Sequence, residues 1–126
     1  MSEAIIHIRE IPDYWTGLVS RLDNRLKELN RIAGYTHPNS AIRLIKLDWG
    51  LKIEKPEYPA VYIDIYLDSD KQSVRIEGRR VDGPDNRRVS KFDGTFNLRK
   101  GSEWVTEEIL RPIAESHASI RVGSSA

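Results

Sequence analysis

Residues 58–81 read YPAVYIDIYLDSDKQSVRIEGRRV, and their alternation decides the fold. Val61, Ile63, Ile65 and Leu67 fall on one side of an extended chain, while Tyr62, Asp64, Tyr66 and Asp68 fall on the other. That period of two is the signature of a half-buried strand. Ser69, Asp70, Lys71 and Gln72 interrupt with turn chemistry, after which Val74 and Ile76 alternate with Arg75, Glu77 and Arg79. A hairpin closed by this loop sets Leu67 opposite Val74 and Ile65 opposite Ile76, so the apolar faces agree. The same register sets Tyr66 across from Arg75 and Tyr62 across from Arg79. It also sets Asp64 across from Glu77, a like-charge pair that weakens a sheet.

Upstream, AIRLIKLDWGLKIE at 41–54 carries Ile45, Leu47, Trp49, Leu51 and Ile53 in one parity and Lys46, Asp48, Lys52 and Glu54 in the other. Ile42 and Leu44 break that parity, which predicts either a bulge near 43–45 or a helical turn capped by Ser40. Turning through 55–59, this strand is expected to place Ile53 opposite Val61, Leu51 opposite Ile63 and Leu47 opposite Leu67, with Lys46 facing Asp68. Three segments then share one buried face. Downstream, DGPDN at 82–86 is a strong turn, and 87–98 reads as a fourth, irregular strand with a second turn at Asp93 and Gly94. Phe92 is expected to lie over Gly78, covering the gap left by a missing side chain.

Helices flank the strands. Pro12 and Asp13 read as a helix start, with Asp13 as cap. Trp15, Leu18, Val19, Leu22, Leu26, Leu29 and Ile32 then form one apolar stripe, Arg21, Arg25 and Arg31 belong to the solvated side, and Gly34 ends the helix. Ser102 reads as the cap of a second helix with Trp104, Val105, Ile109 and Ile113 inward and a kink or break at Pro112. The fold class is therefore α+β: helix, three- to four-stranded antiparallel meander, helix, with both helices on one sheet face. Residues 1–12, with the β-prone run AIIHIR, predict an arm or edge strand; 13–117 form one domain, and 118–126 a flexible tail.

A chain of 126 residues is one domain, large enough to bury a core without staples. With no cysteine there is no disulfide framework, thiolate metal site or thiol nucleophile, which fits a reducing cytoplasm. No apolar run approaches the ~20 residues of a membrane span, and the first ten residues are too short in apolar character for a signal peptide, so the expectation is a cytoplasmic protein without membrane contact. The net charge of +1 offers no whole-molecule argument for a polyanion. Residues 71–100 nevertheless carry a net +5 and the remainder −4.

The face opposite the core is expected to hold Lys46, Asp48, Lys52, Tyr62, Asp64, Tyr66, Asp68, Arg75, Glu77 and Arg79. Tyrosine and arginine combine contact area with directional polar groups, so the leading reading is a small non-enzymatic binding domain, self-associating or taking a protein partner, with no cofactor. Its binding residues would be Tyr62, Tyr66, Arg75, Arg79, Arg80, Arg87 and Arg88. Nucleic acid is the alternative ligand: the basic region 75–100, with Lys91, Arg99 and Lys100, would hold phosphates while the tyrosines stack on bases. The helix–sheet–helix order is similar to that of double-stranded-RNA-binding domains in topology, without their motifs. A third reading starts from Asp64, Glu77 and Arg79. An aspartate on one strand facing a glutamate on the next, with a cation two residues on, resembles the metal-binding core of restriction-like nucleases, although Arg79 stands where that family carries lysine. The resemblance implies a Mg²⁺ held by Asp64 and Glu77 that activates water for phosphodiester cleavage. His7, His37 and His117 lie on three separate elements and give nucleophilic catalysis no support.

Overall fold

The computed structural model describes residues 12–68, 72–85 and 88–116. The proposed arm and tail, His7, His117, the 69–71 turn and Arg87 lie outside them, as does the Asp13 side chain. Helix α1 (Pro12–Ala33) leads into strands β1 (Arg43–Leu47), β2 (Gly50–Lys55), β3 (Ala60–Leu67), β4 (Ser73–Val81) and β5 (Val89–Asn97). A single 3₁₀ turn (Leu98–Lys100) then enters helix α2 (Ser102–Ser116). The strands form one antiparallel meander in chain order. The class is α+β, helix, sheet, helix, with five strands rather than three or four.

The extra strand comes from the segment with the broken parity. It is a hairpin turning through Asp48 and Trp49: Leu47 pairs with Gly50, Lys46 with Leu51 and Leu44 with Ile53. A two-residue turn reverses which parity faces the core, so Ile42 and Leu44 before it and Leu51 and Ile53 after it share one face. Neither a bulge nor a helical turn is needed. A Cβ on Gly50 would run into the Ile65 carbonyl oxygen and approach Tyr66 Cα to 3.3 Å, so the backbone of β3 can pass close only to glycine. The β2–β3 register is two residues away from the expectation, with Leu51 opposite Ile65 and Ile53 opposite Ile63. Parity survives a slip of two, so the same side chains stay buried. The β3–β4 register has each pair expected of it, including Asp64 with Glu77 and Tyr62 with Arg79.

Leu18, Leu22, Leu26 and Leu29 of α1 pack with Val105, Ile109 and Ile113 of α2 on Ile53, Ile63, Ile65, Val74 and Ile76 of the sheet. Each such side chain, taken fully from water, contributes about 1.5–3 kcal/mol before ordering costs. The two helices run in the same direction, because Arg21 Nε donates to Ser102 Oγ (2.9 Å) and, one turn on, Arg25 Nε to Glu107 Oε2 (3.1 Å). Those arginines therefore tie helix to helix rather than only facing solvent. Gly34 takes φ 75° just past α1, and Tyr35 N–H reaches back to the Asn30 carbonyl at 2.9 Å, closing the helix with a left-handed residue. Asn30 also clamps the start of the sheet: its Oδ1 accepts from Ile42 N–H (2.7 Å) and its Nδ2 donates to Ile42 O (3.0 Å).

Four local expectations change. The Gly101 carbonyl accepts the first helical bond of α2, from Val105 N–H at 3.1 Å, so Ser102 sits inside the helix and its hydroxyl serves Arg21 instead of capping. Helix α2 does not break at Pro112 but continues to Ser116, since Ile109 and Ile113 on either side are fully buried and hold it against the loss of one hydrogen bond. Trp104 points outward, 40% exposed, edge-on to Phe96 with ring centroids 5.9 Å apart. Finally, β5 does not turn at Asp93 and Gly94: Gly94 pairs with Ile76 inside a continuous strand.

Lys55 ends β2 on the core side and is wholly buried. Its Nζ donates to the carbonyls of Glu57 (2.7 Å) and Pro59 (2.6 Å), pinning the β2–β3 loop. Burial lowers its pKa from 10.5 to about 8.

Candidate binding face

The sheet side away from the helices is uncovered among the described residues and organises into rows across the strands. One row runs Arg43, Glu54, Tyr62, Arg79, Lys91; the next runs Ile45, Lys52, Asp64, Glu77, Asp93; a third contains Tyr66, Arg75 and Thr95. Over β3 to β5 a row of three carboxylates therefore lies between two rows that carry cations.

The tyrosines and arginines pair as their register demands. The Arg79 guanidinium sits 4.8 Å from the Tyr62 ring centre and that of Arg75 5.7 Å from the Tyr66 ring. Such contacts at exposed sites are worth ~0.5–1 kcal/mol each and hold the long side chains against the sheet. Tyr66 Oη donates to Glu77 Oε1 at 2.9 Å, and this bond raises the Tyr66 pKa above 10.0. Arg43 Nη2 meets Glu54 Oε1 at 2.8 Å.

The like-charge pair at the centre is tolerated for a geometric reason. The bond from Asp68 N–H to Ser73 O (2.8 Å) fixes the phase of the β3–β4 ladder. Counting by twos makes Tyr66/Arg75, Asp64/Glu77 and Tyr62/Arg79 the hydrogen-bonded pairs, whose side chains stand farther apart than those of the intervening pairs. Lys52 flanks Asp64 on its other side, and Glu77 has the Tyr66 hydroxyl. Above Gly78 the face dips into a shallow hollow of about 280 Å³ ringed by Lys52, Tyr62, Asp64, Glu77, Arg79 and Lys91.

Of the residues expected to bind, Tyr62, Tyr66, Arg75 and Arg79 share this face. Arg80 does not: its parity turns it to the helix side, where Nε bonds Asp82 Oδ1 at 2.9 Å. Arg88 stands exposed just before β5. Lys46 and Asp48 are displaced as well, Lys46 to the core side opposite Leu51 and Asp48 into the turn, so no Lys46–Asp68 pair forms. Sequence reasoning missed Arg43, Ile45 and Leu47 on this face, and the signal was the hairpin glycine. It also missed Lys91 and Asp93, which a β5 without a break would have placed there. Lys100 Nζ lies 4.9 Å from the Trp104 ring, so the cations of 75–100 are spread over both sides of the sheet. Asp64 and Glu77 do stand abreast, but among the described residues no group of three His, Asp or Glu could hold a metal ion. His37 Nδ1 accepts from Asn39 N–H at 3.1 Å, a loop contact. No described helix is long and apolar enough to cross a membrane.

Among the described residues these features define two helices and a five-strand antiparallel sheet of α+β class with an open polar face. In comparison with protein-family models, curated proteins and solved structures, the chain matches none.

Proposed function

We propose that the protein is a small non-enzymatic interaction domain that associates with a second copy of itself through the outer sheet face. The observation that carries this is the row pattern. A two-fold axis lying in the plane of the interface, along the rows and midway between the carboxylate row and the Tyr62–Arg79–Lys91 row, superposes each row on the other row of the partner. Arg79 then faces the partner's Glu77, Lys91 the partner's Asp93, and Tyr62 the partner's Asp64. The pattern is self-complementary, as a two-fold contact requires, and its tyrosines and arginines are the residue types enriched at such contacts. Nucleic acid fits less well, because Arg75 and Arg79 already lean on tyrosines and border three carboxylates that repel phosphate.

Sedimentation equilibrium tests this directly. Glu77→Arg and Arg79→Glu each set like charges against each other and should weaken association by about tenfold or more, since such juxtapositions cost several kcal/mol. The double variant Glu77→Arg/Arg79→Glu restores complementarity and should recover most of the loss; Tyr66→Ala should weaken association without rescue. A wild-type chain that is monomeric at every concentration, or a double variant no better than the singles, rejects the reading.

A further inference from the structure

We infer that the edge of β5, unpaired among the described residues, together with the cleft between β5 and α2, is a docking groove for an extended peptide of a partner protein, with apolar side chains at alternate positions and a basic one between them. It is a second surface, at the sheet edge rather than on the outer face, with which it shares Asp93.

The groove exists because of two glycines. Gly78 and Gly94 occupy core-side positions in β4 and β5, and the rings of Phe92 and Phe96 rest over them. Larger residues there would stand the rings up under α2. Instead a cleft of about 650 Å³ opens at the sheet edge, floored by Ile76, Phe92 and Phe96 and walled by Glu108, Pro112 and Glu115 of α2. A glycine inside a strand costs stability and marks a place where something approaches closely. A large cleft with an apolar floor and a few polar groups is the kind of site that takes a ligand.

The adjoining edge supplies the backbone partners. The ladder between β4 and β5 ends in bonds from Asp82 N–H to Arg88 O (3.0 Å) and from Leu98 N–H to Gln72 O (2.7 Å). Counting by twos between them, the even-numbered residues of β5 bond to β4. The N–H and C=O groups of Lys91, Asp93 and Thr95 therefore point away from the sheet, a row ready to receive a sixth strand. A strand added there sends every second side chain into the cleft beside Phe92 and Phe96, and these must be apolar. The side chains between them lie on the outer face, next to Asp93, the last member of the carboxylate row. On the helix wall Glu108 is engaged by Arg111 at 2.8 Å, while Glu115 has no ion-pair or hydrogen-bond partner among the described residues. The uncompensated charges around the cleft are Asp93 and Glu115 against one cation, Lys91, so the balance is negative and the complementary peptide carries its basic residue over Asp93. Strand addition of this kind draws affinity from main-chain bonds and specificity from alternate side-chain pockets.

The probe is the synthetic peptide acetyl-SVTVKVS-amide, titrated into ¹⁵N-labelled full-length protein and followed by amide chemical shifts. Shifts should centre on Lys91, Asp93, Thr95 and the facing side of α2. Exchanging the peptide lysine for glutamate should weaken binding about fivefold, and Asp93→Lys should reverse that preference, as cross-strand charge pairs do. Thr95→Pro removes an outward N–H without touching the β4 ladder and should abolish binding. Because Asp93 also belongs to the outer face while Thr95→Pro leaves the Glu77 and Arg79 rows intact, that variant separates this proposal from self-association. Absence of β5 shifts at millimolar peptide overturns the inference. So do shifts confined to Tyr62 and Tyr66, undiminished binding to Thr95→Pro, or contacts showing residues 117–126 of the same chain lying along β5.

Discussion

Adding one methyl group at Gly78 should unbalance the β4–β5 half of the sheet. The position its Cβ would take is occupied by two atoms of the Phe92 ring, and the Tyr62 carbonyl oxygen lies only 2.9 Å away. The ring is the part able to move, so Gly78→Ala drives Phe92 off the sheet. Losing part of its burial forfeits about 1–2 kcal/mol of the ~1.5–3 kcal/mol that a fully buried phenylalanine provides. Residual crowding against the Tyr62 carbonyl adds about 1–2 kcal/mol. Restricting the unfolded backbone returns roughly 0.5–1 kcal/mol. The net expectation is a loss of about 2 kcal/mol, read as a lower urea midpoint with unchanged slope, or as a fall in Tm of about 8 °C for a chain of this size. A double-mutant cycle with Phe92→Ala sharpens the test: once the ring is gone only the Tyr62 crowding and the backbone gain remain, so Gly78→Ala should cost about 0.5–1 kcal/mol, giving a coupling above ~1 kcal/mol. Gly94→Ala is the internal control, because its Cβ would meet Phe96 Cζ at 3.1 Å and Ile76 Cγ1 at 3.7 Å, which a small ring shift relieves. A Gly78→Ala variant within about 0.5 kcal/mol of wild type, or additive with Phe92→Ala, would refute the packing argument.

Asn30→Ala strips both partners from the Ile42 backbone and should cost about 2–3 kcal/mol in chemical denaturation, roughly one for each orphaned group plus lost packing; a change below half a kcal/mol would mean that water replaces the clamp. Lys55 makes stability depend on alkaline pH. With its folded pKa near 8 and its unfolded value at 10.5, the unfolded chain holds more protons between those values, so stability should rise from pH 8 toward pH 10. Lys55→Met should flatten that rise. Above pH 10 the raised pKa of Tyr35, held up by burial, acts in the opposite direction, so urea unfolding at pH 7, 8.5 and 9.5 is the window that decides. A wild-type slope equal to that of Lys55→Met would contradict the assignment.

The β3–β4 hairpin was legible because its pattern is over-determined: apolar and polar residues alternate from Val61 to Asp68 and again from Val74 to Arg79, with Gly78 the one apolar-side position lacking a side chain, and the two halves align with their apolar faces together. Phe92 over Gly78 followed from the same arithmetic. The β1–β2 hairpin was not legible, because Trp49 in the turn is a strong strand former and extends the alternation of Ile45 and Leu47 straight into Leu51. Gly50 and the parity break at Ile42 and Leu44 were the residues that disagreed. Lys55 was hidden by its type, although its parity with Leu51 and Ile53 places it on the buried side; a lysine is expected inside only when something receives its protons, and the two carbonyls that do so come from a loop whose path no local pattern dictates. Trp104 misled in the other direction: its helical spacing fits the core stripe, yet the space beside Phe96 at the sheet margin takes it instead.

The order of the strands has a consequence for how the chain finds its shape. Every neighbour in the sheet is also the neighbour in sequence, so each pairing closes only a short loop and can zip onto the one before it. The joint between α1 and α2 is different, since Arg21 and Ser102 are separated by 81 residues. That seam closes the longest loop in the fold, so the helix pair is expected to join after the meander has drawn the two ends together, and low φ-values at Arg21 and Ser102 are the result that checks it.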